Sequence, residues 1–250
     1  MNKQRREEFI RWYAWSLKYK DCDPAVWMTN YLHKRYEHND EERLWFAWLY
    51  GNTYQLPTAW VLKNEFPDYE LATVDRITWW NTSNYKRLRY QTDTKWNKGH
   101  LPAMFESYQK FIGNKTQREV LESYYGDNEQ RNFDNLWAAI KGSLHKFGRY
   151  STWFYLQHLR HTANINITPT SLMLDDYDVE SIARDIIGEM KDRFPELKSE
   201  IDFFTMETCL CSFKKIFREH HGRYLGYYLD RQSEEVMQAE QDGWAGIEWN

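Results

Sequence analysis

The sequence predicts a mainly α-helical protein, a single domain over residues 1–250 with a coupled C-terminal helical segment. Apolar residues recur at three- and four-residue spacing through most of the chain. Helix start and stop signals fall at the ends of those stretches. No alternating apolar–polar run is long enough to demand a large sheet, and no Pro/Gly/Ser-rich linker, low-complexity tract or repeat divides the chain.

Taken in order, residues 6–20 place Phe9, Ile10, Tyr13 and Leu17 on one apolar stripe. The segment EERLWFAWLY, residues 41–50, opens with acids that complement the positive end of a helix, and Gly51 is expected to stop it. Pro57 is placed to open the next helix, TAWVLKNEF, and Pro67 to close it. Thr116 and Glu119 fit a capping box ahead of VLESYY. A further helical stretch over 130–147 is expected to end at Gly148, with Ser151 capping TWFYLQHLRH. DVESIARDIIGEMKDRF and ELKSEIDFFTMETCLCSFKKIFREHH both carry helical periodicity. INITPTSLML, with Pro169, reads as an extended connector.

Composition narrows the function classes. A chain of 250 residues can bury a sizeable core. Its 13 Trp and 18 Tyr suit base-stacking surfaces and a thick helical core equally. A formal charge of -4 and a pI near 6.1 argue against indiscriminate coating of nucleic acid, yet leave room for a local basic groove. Cys22, Cys209 and Cys211 cannot all pair, which points to a reducing compartment. MNKQRREEFI has no apolar signal region, and no run approaches the roughly 18 apolar residues of a membrane span. A soluble cytoplasmic protein without a membrane partner is expected.

Positive charge is concentrated in KRLRYQTDTKWNKGH, residues 86–100, where Lys86, Arg87, Arg89, Lys95 and Lys98 face the single acid Asp93. Arg87 and Arg89 can grip phosphate oxygens in bidentate fashion, while Lys95 and Lys98 act as point charges. Tyr90 and Trp96 add stacking faces, and Gly99 lets a ligand approach the backbone. A loop whose charges face water fits the same count. FGRYSTWF, residues 147–154, turns into a helix, so Arg149 and Ser151 can bind an anion at a helix start, or Ser151 can simply be a cap. In LYGNTYQLPTAW, residues 49–60, Asn52, Thr53, Tyr54 and Gln55 can read a base edge, though Asn52 equally suits a turn or cap.

Metal and nucleophile signals are weak. His158 and His161 share a helix face without a third ligand, which favours a structural histidine. Cys209 and Cys211 lack zinc-site spacing, so no metal ligands are assigned. A phosphate loop, a dinucleotide glycine fingerprint and a nucleophile elbow are all missing. Asp175 and Asp176 read as a loop or cap feature, although one can serve as a base.

Four stretches, WLYGNTYQLPTAWVL, RLRYQTDTKWNKGH, FGRYSTWFYLQHLR and RYLGYYLDRQSEEV, together resemble the α-glutamyl/putrescinyl thymine pyrophosphorylases, or amino acid:DNA transferases, of tailed bacteriophages. The resemblance spans about residues 40–240 and rests on the order and spacing of the four. It implies a DNA-glycosylase-like helical domain. LPTAW is only an echo of the glycosylase LPGVG hairpin, so cleavage of the glycosidic bond is not carried over.

The implied substrate is DNA bearing a pyrophosphate ester of 5-hydroxymethyluracil, in the cytoplasm of an infected bacterium. A free amino acid such as glycine or glutamate, or the polyamine putrescine, displaces pyrophosphate to give a hypermodified thymine. On that resemblance Arg87, Arg89, Lys95 and Lys98 neutralise the leaving group with Arg149 assisting, and Asp93 is the candidate base. Tyr54, Tyr90, Trp96 and Tyr150 are candidates to stack on a flipped base. Asn52, Gln55, His100 and Ser151 complete the DNA-binding set. Arg184 joins from a segment that follows the family pattern more loosely, and it or Arg160 would hold a donor carboxylate. Mg2+ carried with pyrophosphate is the one cofactor in view, with no carboxylate cage dedicated to it. Two other functions share this scaffold: a non-catalytic DNA-binding module and a base-excising DNA glycosylase, which would leave abasic sites.

Overall fold

Capping and burial together set the helices of this chain, and a computed structural model describes residues 3–18, 24–84 and 99–214. Among the described residues there are eleven α-helices and no strand. The mainly helical class read from the sequence holds. The described residues fall into two compact units, one drawn from the stretches before His33 and after Thr168, the other from His33–Thr168.

In the first unit, helix α1 (Lys3–Lys18) buries the predicted stripe Phe9, Ile10, Tyr13 and Leu17. Helix α2 (Pro24–Arg35) contributes Ala25, Met28 and Leu32 to this unit's core. Asp176 caps α10 (Tyr177–Arg193) by accepting from the Val179 N–H, the cap role expected of the Asp175–Asp176 pair. A short 3-10 turn at Pro195–Leu197 leads to α11 (Phe203–Lys214), so the helix expected from Glu196 onward begins later. Arg6 pairs with Glu189, and Arg193 bridges Glu7 and Glu189, which ties α1 to α10. The Tyr13 hydroxyl, near Thr205 and the Asp202 carbonyl, joins α1 to the start of α11.

The second unit is built around two helices. Helix α3 (Asp40–Thr53) starts on a capping box formed by Asn39 and Glu42, and every residue from Leu44 to Thr53 is buried. A helix buried on all sides has no polar face, which is why its periodicity is hard to see in sequence. Gly51 does not stop it; α3 runs on to Thr53 and is capped by Tyr54. Helix α4 (Leu56–Glu65) has Pro57 in its first turn and ends before Pro67, as predicted. Buried Lys63 ties α4 to Glu42 at 2.9 Å and donates to the Pro67 carbonyl.

Helices α5 (Val74–Asn84) and α6 (Leu101–Ile112) pack together. The short α7 (Gln117–Glu122) carries the predicted Thr116–Glu119 capping box. Helix α8 (Glu129–Ser143) stops five residues short of Gly148, because the backbone turns extended at Leu144. Helix α9 (Arg149–Ala163) then packs along α3. Its N-cap is Gly148, so Ser151 lies inside the first turn instead of capping it. INITPTSLML is irregular, consistent with a connector. Among the described residues, no helix is long and apolar enough to cross a membrane.

This unit holds buried imidazoles. His33 and His38 bring their Nδ1 atoms to 2.8 Å, so one ring must be neutral to accept from the other. Burial, then the neighbouring His38, push His33 well below the ordinary histidine range. Burial, then Lys63, hold His38 down to about 4. The fold therefore keeps these rings neutral where the unfolded chain takes up protons, below about 6.5. Their contribution is complete above that pH and is lost as the pH falls from there towards the folded values. The melting temperature is expected to fall between about pH 7 and about pH 5.5, above the range in which ordinary carboxylates titrate; a flat profile by circular dichroism across that window would contradict it.

Candidate active site

The first contact is between α3 and α9. A Cβ built on Gly51 would lie 2.7 Å from the Tyr155 Cβ and 3.2 Å from the Ser151 carbonyl oxygen. The glycine thus permits close approach of the two helices, a tertiary role in place of the expected helix stop. Around it the rings form a ladder. Tyr54 stacks on Phe154 with centroids 3.5 Å apart, and Tyr50 stacks on His158 at 3.7 Å. Tyr150 runs near-parallel to Phe154 at 6.4 Å and is 44 % exposed, so the ladder has a solvent end and a buried end.

Tyr54 caps α3 at φ 47°, in the left-handed region where glycine is usual. That conformation turns the chain at once into α4, and the stack on Phe154 holds the ring there. Arg149 opens α9, with its guanidinium 4.8 Å from the Trp153 ring centroid and 5.1 Å from that of Tyr150. His100 opens α6 and meets the His145 ring at 5.8 Å, while the His145 N–H donates to the Ser107 hydroxyl of α6. The loop that precedes α9 is thereby tied to α6.

Three helix starts share a further property. Helices α4, α6 and α9 begin with no side-chain cap, whereas Asn39, Thr116, Asn128 and Asp176 cap α3, α7, α8 and α10. Each helix start carries about half a positive charge, which favours an anion there. Pro57 and Pro102 remove one N–H each from α4 and α6, which leaves α9 as the richest in donors. Arg149 adds a formal charge at that same end.

Several predicted site residues are buried or belong elsewhere in the structure. Asn52 is buried on α3, where its side-chain N–H donates to the Trp48 carbonyl at 2.8 Å, so it faces the core and not a surface groove. Its Oδ1 is left unpartnered. Gln55 is buried as the N-cap of α4. Ser151 is buried in the first turn of α9. Arg184 belongs to the other unit, where its guanidinium lies 5.6 Å from the Phe203 ring. Arg160 donates to the Ile167 carbonyl, about 16 Å along α9 from Arg149. His158 is buried against the Tyr50 ring, and burial first, then His161, hold it down to about 3.

Arg87, Arg89, Tyr90, Asp93, Lys95, Trp96 and Lys98, and the stretch RYLGYYLDRQSEEV, lie outside the described residues. The residues missed from sequence are Tyr50, Phe154 and His145; Phe154 was marked by its four-residue spacing from Tyr150. Among the described residues, no group of three His, Cys, Asp or Glu side chains could hold a metal ion.

Two of the four quoted stretches thus meet through the Tyr54–Phe154 stack, while of the second only Gly99 and His100 lie within the described residues. The amino acid:DNA transferase family model matches residues 6–221, most of the chain. The chain belongs to the amino acid:DNA transferase family. It is also similar to a serinyltransferase of Salmonella phage ViI, 24% identical over 243 residues, which cover 78% of this chain and 58% of that relative. The chain therefore spans little more than half the length of the curated relative it matches. No solved structure matches this transferase-family chain.

Proposed function

We propose that this chain transfers an amino acid to DNA, by displacing pyrophosphate from a 5-pyrophosphoryloxymethyluracil base. The carrying observation is the uncapped start of α9, joined to the end of α3 by the Tyr54–Phe154 stack, where Arg149 and the exposed ring of Tyr150 lie side by side. A charged leaving group and a flat base are the two things such a corner recognises. The resemblance and the family support DNA as one substrate and an amino acid as the other. The relative named for serine makes that amino acid the first donor to try.

In the displacement, the lone pair of a neutral amine forms the C–N bond to the exocyclic methylene carbon. The C–O bond breaks, its electron pair leaves on pyrophosphate, and the amine proton passes to a base. Arg149 and the α9 dipole stabilise the departing charge, joined by Arg87, Arg89, Lys95 and Lys98 of the basic segment. Asp93 is the proposed base. A magnesium ion would enter on the pyrophosphate oxygens and not in a protein cage. Tyr54 and Tyr150 would hold the extrahelical base.

The test incubates the purified chain with DNA carrying the pyrophosphorylated base and a panel of serine, glycine, glutamate and putrescine, followed by nucleoside mass spectrometry. A mass increase matching one amine, with equimolar pyrophosphate, is expected. DNA binding without pyrophosphate release would make the chain a silent binding module, and alkali-labile abasic sites would make it a glycosylase.

A further inference from the structure

Helix α5 is amphipathic, yet one residue contradicts its pattern. Ile77, Trp80 and Asn81 are buried and define its inward face. At about 100° per residue, Trp79 points about 150° away from that face. It is 70 % exposed, in the middle of the polar stripe of Asp75, Arg76, Thr78, Thr82 and Ser83. A tryptophan at the rim of a core is ordinary, but one at the centre of a solvent face gains nothing from folding.

Its neighbours indicate what would cover it. Arg76 lies one turn before Trp79, with its guanidinium 5.6 Å from the Phe66 ring and an N–H donated to the Leu71 carbonyl at 3.0 Å. Ser83, one turn after, is exposed and carries the hydroxyl type that contacts phosphate and sugar, whereas the Thr82 hydroxyl donates to the Thr78 carbonyl. The acid Asp75 sits in the first turn, one turn before Trp79 on the same face, where it complements the helix dipole. Past Asn84 the sequence enters the most basic stretch of the chain, with five cations and one acid over residues 86–98. An anionic polymer with stacking faces matches an exposed indole joined to that charge. A second copy of a chain with formal charge -4 does not match it as well.

We propose that the solvent face of α5 is a DNA-docking surface, with the Trp79 indole packed on a base or deoxyribose and Arg76 on a neighbouring phosphate. The proposal rests on DNA being the substrate but not on the displacement chemistry.

The experiment measures binding of the full chain to a fluorescein-labelled duplex containing hydroxymethyluracil, by anisotropy and without any amine donor. Trp79→Ala is expected to weaken binding about ten-fold or more at one salt concentration, and Trp79→Phe to restore most of it. The salt slope should be unchanged in Trp79→Ala and should fall by about one in Arg76→Ala. Equal affinity of wild type and Trp79→Ala overturns the proposal, as does a lowered melting temperature with intact affinity, which would mean that the chain itself covers the indole. Loss of a dimer in sedimentation, with DNA affinity kept, would assign the face to a second copy. A wild-type chain that binds no duplex would overturn this inference and the proposed function together, whereas binding without transfer would overturn the latter alone.

Discussion

Arg149→Ala is expected to lower the rate of amine transfer by about a hundred- to a thousand-fold, the range seen when one charge-stabilising donor is removed from a transition state. The effect should fall on kcat and on kcat/KM alike, because negative charge on the leaving pyrophosphate grows as the C–O bond breaks. The residue is placed for this task by α9 itself: it is the first helical residue after Gly148, where the backbone dipole already favours an anion. Its guanidinium is held by the Tyr150 and Trp153 rings, so little ordering entropy is lost when phosphate binds.

Arg149→Lys separates charge from shape. A lysine keeps the charge but loses the planar fork and much of the packing on Trp153. An intermediate loss of kcat is expected, with thermal melting close to wild type for Lys and slightly lowered for Ala. If Arg149 were a packing residue alone, both variants would melt earlier, and the folded fraction would keep its kcat.

The sequence makes some of this legible and hides the rest for identifiable reasons. The α1 stripe of Phe9, Ile10, Tyr13 and Leu17 is readable because one side of that helix faces water. The Thr116 box is readable because capping is local. Helix α3 is buried all round, so its amphipathic signal fades and Gly51 looks like an end. Asn52 looks like a reading head among polar neighbours, but the turn at Tyr54 comes two residues later and leaves it inside. The Tyr54–Phe154 stack joins residues a hundred positions apart, and no local spacing announces it. The division into two units is hidden because one of them draws on both flanks of the sequence. Motif order could place Arg149 and Tyr150 in a candidate site, yet only packing could show Phe154 of the same helix stacked on Tyr54.

Gly51→Ala tests that packing most severely, because two opposed effects have different sizes. Within a helix, replacing glycine by alanine ordinarily stabilises by about 0.5–1 kcal/mol. Here the added methyl would meet the Tyr155 Cβ at 2.7 Å, the Tyr155 Cα at 3.1 Å and the Ser151 carbonyl at 3.2 Å. None of these is the far end of a flexible side chain, so relief requires α9 to move away from α3. Overpacking of this kind costs about 1–3 kcal/mol and outweighs the helix-propensity gain.

The same movement would strain a buried chain of hydrogen bonds. The Tyr155 hydroxyl lies 3.3 Å from that of Tyr108, which donates to Gln117, which in turn donates to Glu41 on α3. Urea denaturation should therefore show a lower midpoint for Gly51→Ala at an unchanged slope, and Gly51→Val should yield little folded protein. Because Arg149 and Tyr150 sit just over a turn before Tyr155, the alanine variant should also lose kcat under conditions where it remains folded. An unchanged midpoint would mean that the two helices can separate freely, and the Tyr54–Phe154 stack could not then be what holds the start of α9 in place.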